Sequence, residues 1–190
     1  MTDKPLAGYS DARSKDARSN KNSTRTPPDL FARRDAVHHF TLDIAADHDN
    51  ALVRGSYCTV DGHYADGLQL ARIDGIAMAE VWTPDDGAGW CNPPYGVGLL
   101  APFIYAWSEA AQIRGVVSEF LVPVRTDQPW WHDRVWDNES SATYPWVTRL
   151  EFIEGRLGYL DHQGKPILDG KGKPAKAGFE SCIITFGAPL

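Results

Sequence analysis

Cysteine is scarce in this chain and unpaired in its spacing. Among 190 residues only Cys58, Cys91 and Cys182 are cysteine, odd in number and with no Cys-x-x-Cys. That argues against a disulfide scaffold or a structural zinc site and for a reducing, cytoplasmic compartment. No apolar run is long enough to cross a bilayer, and a polar N-terminus predicts no secretory signal. Excess positive charge is missing too: 19 Lys and Arg against 25 Asp and Glu leave a formal net charge of -6. Dedicated nucleic-acid binders are usually basic, because phosphate contacts dominate affinity. Any contact with a polyanion must therefore be local. Two segments offer local charge: one with Arg13, Lys15, Arg18, Lys21 and Arg25, the other with Lys165, Lys171, Lys173 and Lys176. The plain reading of both is a solvated segment. No internal repeat is visible. The tandem His38-His39 lacks further ligands at a recognised spacing, so no metal site is expected.

What is present divides the chain in two. Residues 1–23 are polar, nearly devoid of large apolar side chains, and predict a disordered arm. Residues 24–190 are long enough for one domain with a core. Pro27 and Pro28 suit a helix start ahead of Leu30-Phe31-Ala32. His38-His39 reads as a loop, and Phe40–Ile44 as a short buried strand that ends in Ala45-Ala46-Asp47. From Ala51 to Trp82 the pattern is weak, with Ser56–Val60 a candidate strand and turn signals at Asp61-Gly62 and Asp66-Gly67. Val116–Val122 reads as a strand stopped by Pro123. Leu150–Tyr159 and Ser181–Phe186 read as two more, separated by a Gly- and Lys-rich loop. Strands alternating with helices and a final long hairpin predict an α/β fold, its sheet mostly parallel with a C-terminal antiparallel hairpin.

The most informative segment is Cys91-Asn92-Pro93-Pro94-Tyr95-Gly96. An exocyclic amino nitrogen is planar, and its lone pair is delocalised into the ring. The Asn92 side-chain carbonyl and the Pro93 backbone carbonyl can accept both amino hydrogens and free that lone pair. Paired prolines stiffen the loop, since proline fixes φ and has no N–H. Tyr95 offers a face on which a base can stack. The bland alternative is a Pro-Pro turn after a strand. The setting favours chemistry: Trp90-Cys91 reads as a strand end. Val97–Arg114 reads as an amphipathic helix, with Phe103 and Trp107 four apart and Gly115 as its stop. Ligands of open α/β sheets bind at such strand ends. The loop Pro123–His132 sits at another strand end and carries Arg125, Thr126 and Asp127. Trp130 and Trp131, in the same loop, suit either the ligand or the core.

In order and spacing these landmarks resemble the Dam-like adenine-specific DNA methyltransferases of bacteriophages and prophages. They run from Thr26-Pro27-Pro28-Asp29-Leu30-Phe31 through Phe40–Ala46, Asn50-Ala51, Asp66-Gly67-Leu68 and Asn92–Tyr95. Beyond these come Pro123–Asp127 with Trp131-His132, then Gly155-Arg156-Leu157 and Ser181. The resemblance covers residues 24–187. It implies a Rossmann-like, S-adenosylmethionine-dependent methyltransferase sheet and transfer of a methyl group to the amino group of adenine in DNA. It implies that Asn92, Pro93 and Pro94 bind that amino group and that Tyr95 stacks on the extruded base. Asn rather than Ser at position 92 favours adenine over cytosine. The resemblance places Thr26, Pro27, Asp43, Ala45, Ala46 and Asp66 at the cofactor. It sets Arg125, Thr126, Asp127 and Trp131 at the mouth that receives DNA. No metal is implied, a homodimer is one candidate assembly, and the compartment is the bacterial host cytoplasm if phage-encoded, with restriction–modification as one setting.

The common Gly-x-Gly of the first cofactor loop is replaced by Ala45-Ala46, and no separate target-recognition domain follows. Two segments are candidate readers of DNA sequence: Trp136–Trp146, with Asn138, Ser140, Ser141, Thr143 and Tyr144, and Lys165–Lys176. Two competing readings stand beside this one. A protein-glutamine methyltransferase uses the same Asn-Pro-Pro-Tyr on a side-chain amide but usually carries an N-terminal helical domain and a Gly-rich loop. A non-catalytic DNA-binding or host-interaction protein on the same fold would fit the acidic charge. Cofactor binding is the discriminator for the last: a pseudo-enzyme shows none, or binds without turnover.

Overall fold

The computed structural model describes residues 24–46, 50–58, 74–96, 98–161 and 163–188. Its elements run α1 (Pro28–His38), β1 (Leu42–Asp43), α2 (Gly75–Val81), β2 (Gly89–Cys91), α3 (Leu100–Arg114), β3 (Ser118–Pro123), α4 (Pro129–Arg134), β4 (Trp136–Asp137), β5 (Ala142–Thr143), β6 (Val147–Phe152) and β7 (Ser181–Phe186). The central sheet has the order β1-β2-β3-β7-β6. Strands β1, β2 and β3 pair in parallel, and β7 runs antiparallel to both its neighbours, β3 and β6. This is the mostly parallel α/β sheet with a terminal antiparallel hairpin that the sequence predicts.

β3 and β7 are buried at every position. Central strands covered on both faces read as continuous runs, and side chains alternate between the faces. Phe120, Val122, Cys182 and Ile184 enter the core under α2, α3 and α4, with Phe103, Ile104 and Trp107 of α3 opposite them. Leu121 and Ile183 enter a second cluster with Trp90, Leu30 of α1 and Tyr159. The sheet is thus covered on both sides.

Several boundaries differ from expectation, each for a local reason. The third helix starts at Leu100, not 97, after Gly98 takes a positive φ of 78°; Val97 lies outside the described residues. Pro123 belongs to β3 as its last residue, opposite Ser181, where a missing N–H interrupts no interior bond. β6 ends at Phe152, not Tyr159, as the chain turns through Gly155 at φ 74°. His38 is helical, and His39 caps α1 in the left-handed region at φ 50°. Helix α2 emerges from the weakly patterned region because Asp74 caps it, accepting from the Ile76 and Ala77 amides. Its first residue, Gly75, lies so close to β1 that a Cβ there would sit 1.9 Å from the Ile44 carbonyl oxygen. The strand expected at Ser56–Val60 is represented by a parallel bridge from Tyr57 to Asp43. The expected N-terminal arm lies outside the described residues.

One buried ionic cluster fixes α1 across the sheet. Arg34 of α1 donates through Nε to Glu119 Oε2 of β3 at 2.8 Å, through Nη2 to Oε1, and through Nη1 to Glu151 of β6 at 3.1 Å. Thr185 of β7 donates to Glu119 at 2.8 Å, and His38 Nε2 lies 3.0 Å from it. The bond to Glu119 raises the Arg34 guanidinium above its ordinary pKa against the opposing effect of burial. Cys58, Cys91 and Cys182 are all buried and free. No described helix is long and apolar enough to cross a membrane.

Candidate active site

Because β1, β2 and β3 are parallel, the segments after them open at one edge of the sheet. Ala45 and Ala46 follow β1, Asn92–Tyr95 follow β2, and Arg125–Asp127 follow β3. β7 begins at the same edge, since Ser181 pairs with Pro123. Four of the predicted groups are thereby brought together: Ala45-Ala46, the Asn-Pro-Pro-Tyr, the Arg-Thr-Asp, and Thr26-Pro27, which are laid across the edge by ties to the others.

Asn92 is half-buried behind a fully buried β2, and Pro93 and Pro94 are buried. Both ends of its carboxamide are held. Nδ2 donates to the Thr24 carbonyl at 3.1 Å, and Oδ1 accepts from the Tyr95 hydroxyl at 2.6 Å. The same hydroxyl lies 2.8 Å from the Leu121 carbonyl, so its one proton has two acceptors. It is also 3.2 Å from the Tyr159 hydroxyl, which is 3.2 Å from Ser181 Oγ. A chain of hydroxyls thus runs from β7 to Asn92. Burial pushes the Tyr95 phenol well up, with the neighbouring Tyr159 adding to it, so Tyr95 remains an O–H donor at neutral pH. The Tyr95 ring is packed edge-on by Tyr159 at 6.1 Å and Phe179 at 5.7 Å, and the residue stays partly exposed.

Thr24–Pro27 reach this edge through the Asn92 bond and a two-way backbone pairing of Arg25 with Leu160, at 2.9 and 3.1 Å. Thr26 is 3 % exposed, and its hydroxyl has no hydrogen-bond partner among the described residues. A buried hydroxyl without a partner carries a desolvation penalty of about 1–3 kcal/mol. Such an atom at a strand-end edge is suited to a polar group of a ligand.

Asp43 is also buried, and the turn after β1 wraps around it. Its carboxylate accepts from the Leu52 amide at 2.9 Å and from the Ala45 amide. Burial raises its pKa to about 7 against the pull of those amides. The Ala46 amide donates to Cys58 O at 2.9 Å. The Ala45-Ala46 turn is therefore shaped by the Asp43 carboxylate and by pairing with the 56–58 segment. Asp66 and Asp47 lie outside the described residues.

At the β3 end, Arg125 grips Asp127 through two bonds of 2.9 and 3.0 Å, and Gln128 adds a third donor. These donors hold the Asp127 carboxyl well below the ordinary range. The Thr126 carbonyl lies 2.7 Å from His132 Nε2, and His132 Nδ1 lies 3.1 Å from the Asn138 amide. The loop is thus braced by its own side chains and joined to the β4–β5 hairpin. Tyr144 stacks on Trp146 at 4.8 Å just beyond that hairpin and donates to the His132 carbonyl. Trp131 is 3 % exposed and packs beside Trp130 in the main core. Trp131 thereby seats α4 against the sheet.

Sequence reasoning missed Tyr159 and Phe179, which hold Tyr95, and the Thr24 carbonyl, which holds Asn92. Nothing local marks them, since their partners lie tens of positions away. Among the described residues no group of three or more His, Cys, Asp or Glu is placed to hold a metal ion.

A family model described as DNA N-6-adenine-methyltransferase (Dam) matches residues 13–186. No curated protein and no solved structure matches.

Proposed function

The chain belongs to the DNA N-6-adenine-methyltransferase (Dam) family, and from that premise we propose that it uses S-adenosylmethionine to methylate the exocyclic amino nitrogen of adenine in DNA. The observation that carries this reading is the Asn92 carboxamide, fixed at both ends where β2 opens onto the sheet edge. Its Oδ1 has two lone pairs, of which Tyr95 occupies one. The second, with the Pro93 carbonyl, accepts the two amino hydrogens. Accepting both draws the nitrogen out of the plane of the base and exposes its lone pair. When the Tyr95 proton turns to Leu121 O instead, Asn92 Oδ1 is fully available and no buried hydroxyl is stranded. The amino group is awkward to reach inside a duplex, so the adenine is extruded, at a cost of a few kcal/mol. Tyr95, partly exposed, provides the ring on which it stacks.

The residues present fit the donor. The unpartnered Thr26 hydroxyl and Pro27 would meet its amino-acid end, and the Asp43-shaped Ala45-Ala46 turn would lie along it. S-adenosylmethionine, when bound, supplies an electrophilic methyl carbon on its sulfonium. The surplus amino proton leaves to solvent; Asn92 and Pro93 act as acceptors and aimed dipoles, so positioning does the work. A sheet whose parallel strands converge at this edge supports a Rossmann-like methyltransferase fold, in which ligands lie beyond the strand ends. Arg125, Thr126 and Asp127 form a braced rim beside the entering base.

The test is methyl transfer from labelled S-adenosylmethionine to unmethylated bacterial DNA, with nucleoside analysis. N6-methyladenine from the wild type and none from Asn92→Ala, which should still bind cofactor, supports the assignment. A near wild-type rate in Asn92→Ala sinks the role of that residue. Cofactor binding without any methylated base would move the acceptor to protein or RNA, and no cofactor binding would leave a non-catalytic fold.

A further inference from the structure

Between Tyr159 and Phe179 the chain makes a long excursion built from one turn used twice. Asp161-His162-Gln163-Gly164-Lys165-Pro166 and Asp169-Gly170-Lys171-Gly172-Lys173-Pro174 share Asp, Gly, Lys and Pro at the same offsets, eight residues apart. A short internal repeat is therefore present where none was expected, and the backbone follows it. In the first turn, Gly164 N donates to Asp161 O at 2.9 Å and Asp161 N to Lys165 O at 2.8 Å. In the second, Gly172 N donates to Asp169 O at 3.0 Å and Asp169 N to Lys173 O at 2.7 Å. Gly164 and Gly172 take φ of 74° and 75°, a region that other residues rarely enter. Each turn is followed by a matching antiparallel bridge, Leu160 to Pro166 and Leu168 to Pro174.

The turn separates the two signs of charge. Asp161 Oδ1 accepts from the Gln163 and Lys165 amides, and Asp169 Oδ1 from the Lys171 and Lys173 amides, at 2.8–2.9 Å. Both carboxylates are thus directed into their own backbone. Lys165, Lys171, Lys173 and Lys176 are exposed and form no ion pair among the described residues. Lys165 and Lys173 each precede a proline, which restricts their backbones to extended conformations. In a chain of net charge -6, this is a concentrated, pre-set display of positive charge.

Its roots are in the candidate site. Tyr159 and Phe179, at the two ends of the excursion, both pack on the Tyr95 ring. Leu160 pairs with Arg25, one residue from the Thr24 carbonyl that holds Asn92.

We propose that this twin-turn arm is the clamp on the DNA backbone: its lysines bind the phosphates of duplex DNA beside the nucleotide presented to Asn92. The proposal rests on the DNA-methylating reading above. Lysine is a compact point charge suited to phosphate, and roughly half to two-thirds of protein–DNA hydrogen bonds go to phosphate and sugar. Residues 161–178 contain four lysines and no arginine. In this reading the arm supplies affinity and register.

The experiment measures duplex binding by fluorescence anisotropy over a range of salt, with a labelled unmethylated duplex. It compares the full-length wild type, a variant with Lys165, Lys171, Lys173 and Lys176 all changed to Gln, and one with all four changed to Arg. The Gln variant should bind about tenfold or more weakly at low salt. Its plot of log affinity against log salt should flatten by about one for each phosphate that is no longer neutralised. The Arg variant should bind like wild type, and both should bind S-adenosylmethionine unchanged, which establishes that the fold survives. Equal affinity and slope for the Gln variant and wild type would overturn the arm alone. A wild type that binds cofactor but no DNA at any salt would overturn the DNA reading, and the arm with it.

Discussion

The Tyr95 hydroxyl donates to the side-chain oxygen of Asn92 at 2.6 Å, within one turn of chain. The two residues on which the proposed chemistry rests are thus one unit: the phenol hydroxyl that fixes the carboxamide is carried by the ring proposed as the stacking face. Tyr95→Phe keeps the ring and removes the aim. A lost hydrogen bond of this kind is worth about 1 kcal/mol. The turnover number should fall about five- to tenfold, with little change in the affinities for cofactor and DNA. Steady-state methyl transfer with separate binding measurements checks this, and an unchanged turnover number would remove the hydroxyl from any positioning role.

Glu119 is fully covered and depends on Arg34 for its compensation. Arg34→Met leaves a buried charge with only Thr185 and His38 as partners. Breaking a buried pair from one side costs about 3–5 kcal/mol. Chemical denaturation should show that loss. Pairing Arg34→Met with Glu119→Gln should recover part of it, because no uncompensated charge then remains.

Gly75 reverses a usual rule. Gly to Ala inside a helix normally stabilises by up to about 1 kcal/mol. Here the new methyl would meet the Ile44 carbonyl and the Phe103 ring. Gly75→Ala should therefore destabilise, by about 1–3 kcal/mol. A melting temperature equal to or above that of the wild type would show that α2 is free to shift away from β1.

Asp43 predicts a pH dependence of the cofactor-free protein. Its folded pKa is raised from 3.8 to about 7. Between those values the native state holds a proton that the unfolded chain has released. Its contribution to stability is therefore fully present below about pH 4 and is lost as pH rises through 7. The slope approaches about 1.4 kcal/mol per pH unit inside that window. Asp43→Asn should flatten this component of the curve of stability against pH, and an identical curve for the variant would place the titration elsewhere.

What was legible in the sequence was local. Asn92–Tyr95 stands out because it is contiguous, whereas the Thr24, Tyr159 and Phe179 groups that hold it lie tens of positions away. β7 was readable to the residue, since a central strand is apolar nearly throughout. Helix α2 was not, because Gly75–Val81 is short and carries small residues on several sides. Glu119 looks like a surface residue in a strand until Arg34, 85 positions earlier, is placed against it. Trp131 suited two roles in the sequence, and its burial beside Trp130 shows only in the packing. The twin turn was written in the chain but hidden, because half of each octet is variable and the shared residues are ordinary turn formers.

The three buried thiols also carry a consequence for measurement. Burial holds the Cys58 and Cys182 thiols up at about 12 and raises Cys91 well above its usual value. The reactive thiolate is therefore almost absent while the protein is closed. Any alkylation must wait for a local opening, so its rate counts such openings. Cys91 stands next to Asn92, Cys182 lies opposite Val122 near the start of β7, and Cys58 closes against the first loop. The chain thus carries three native clocks, one under each part of the sheet edge. Mass-resolved labelling would time how often each part breathes, and which of them a bound ligand stills.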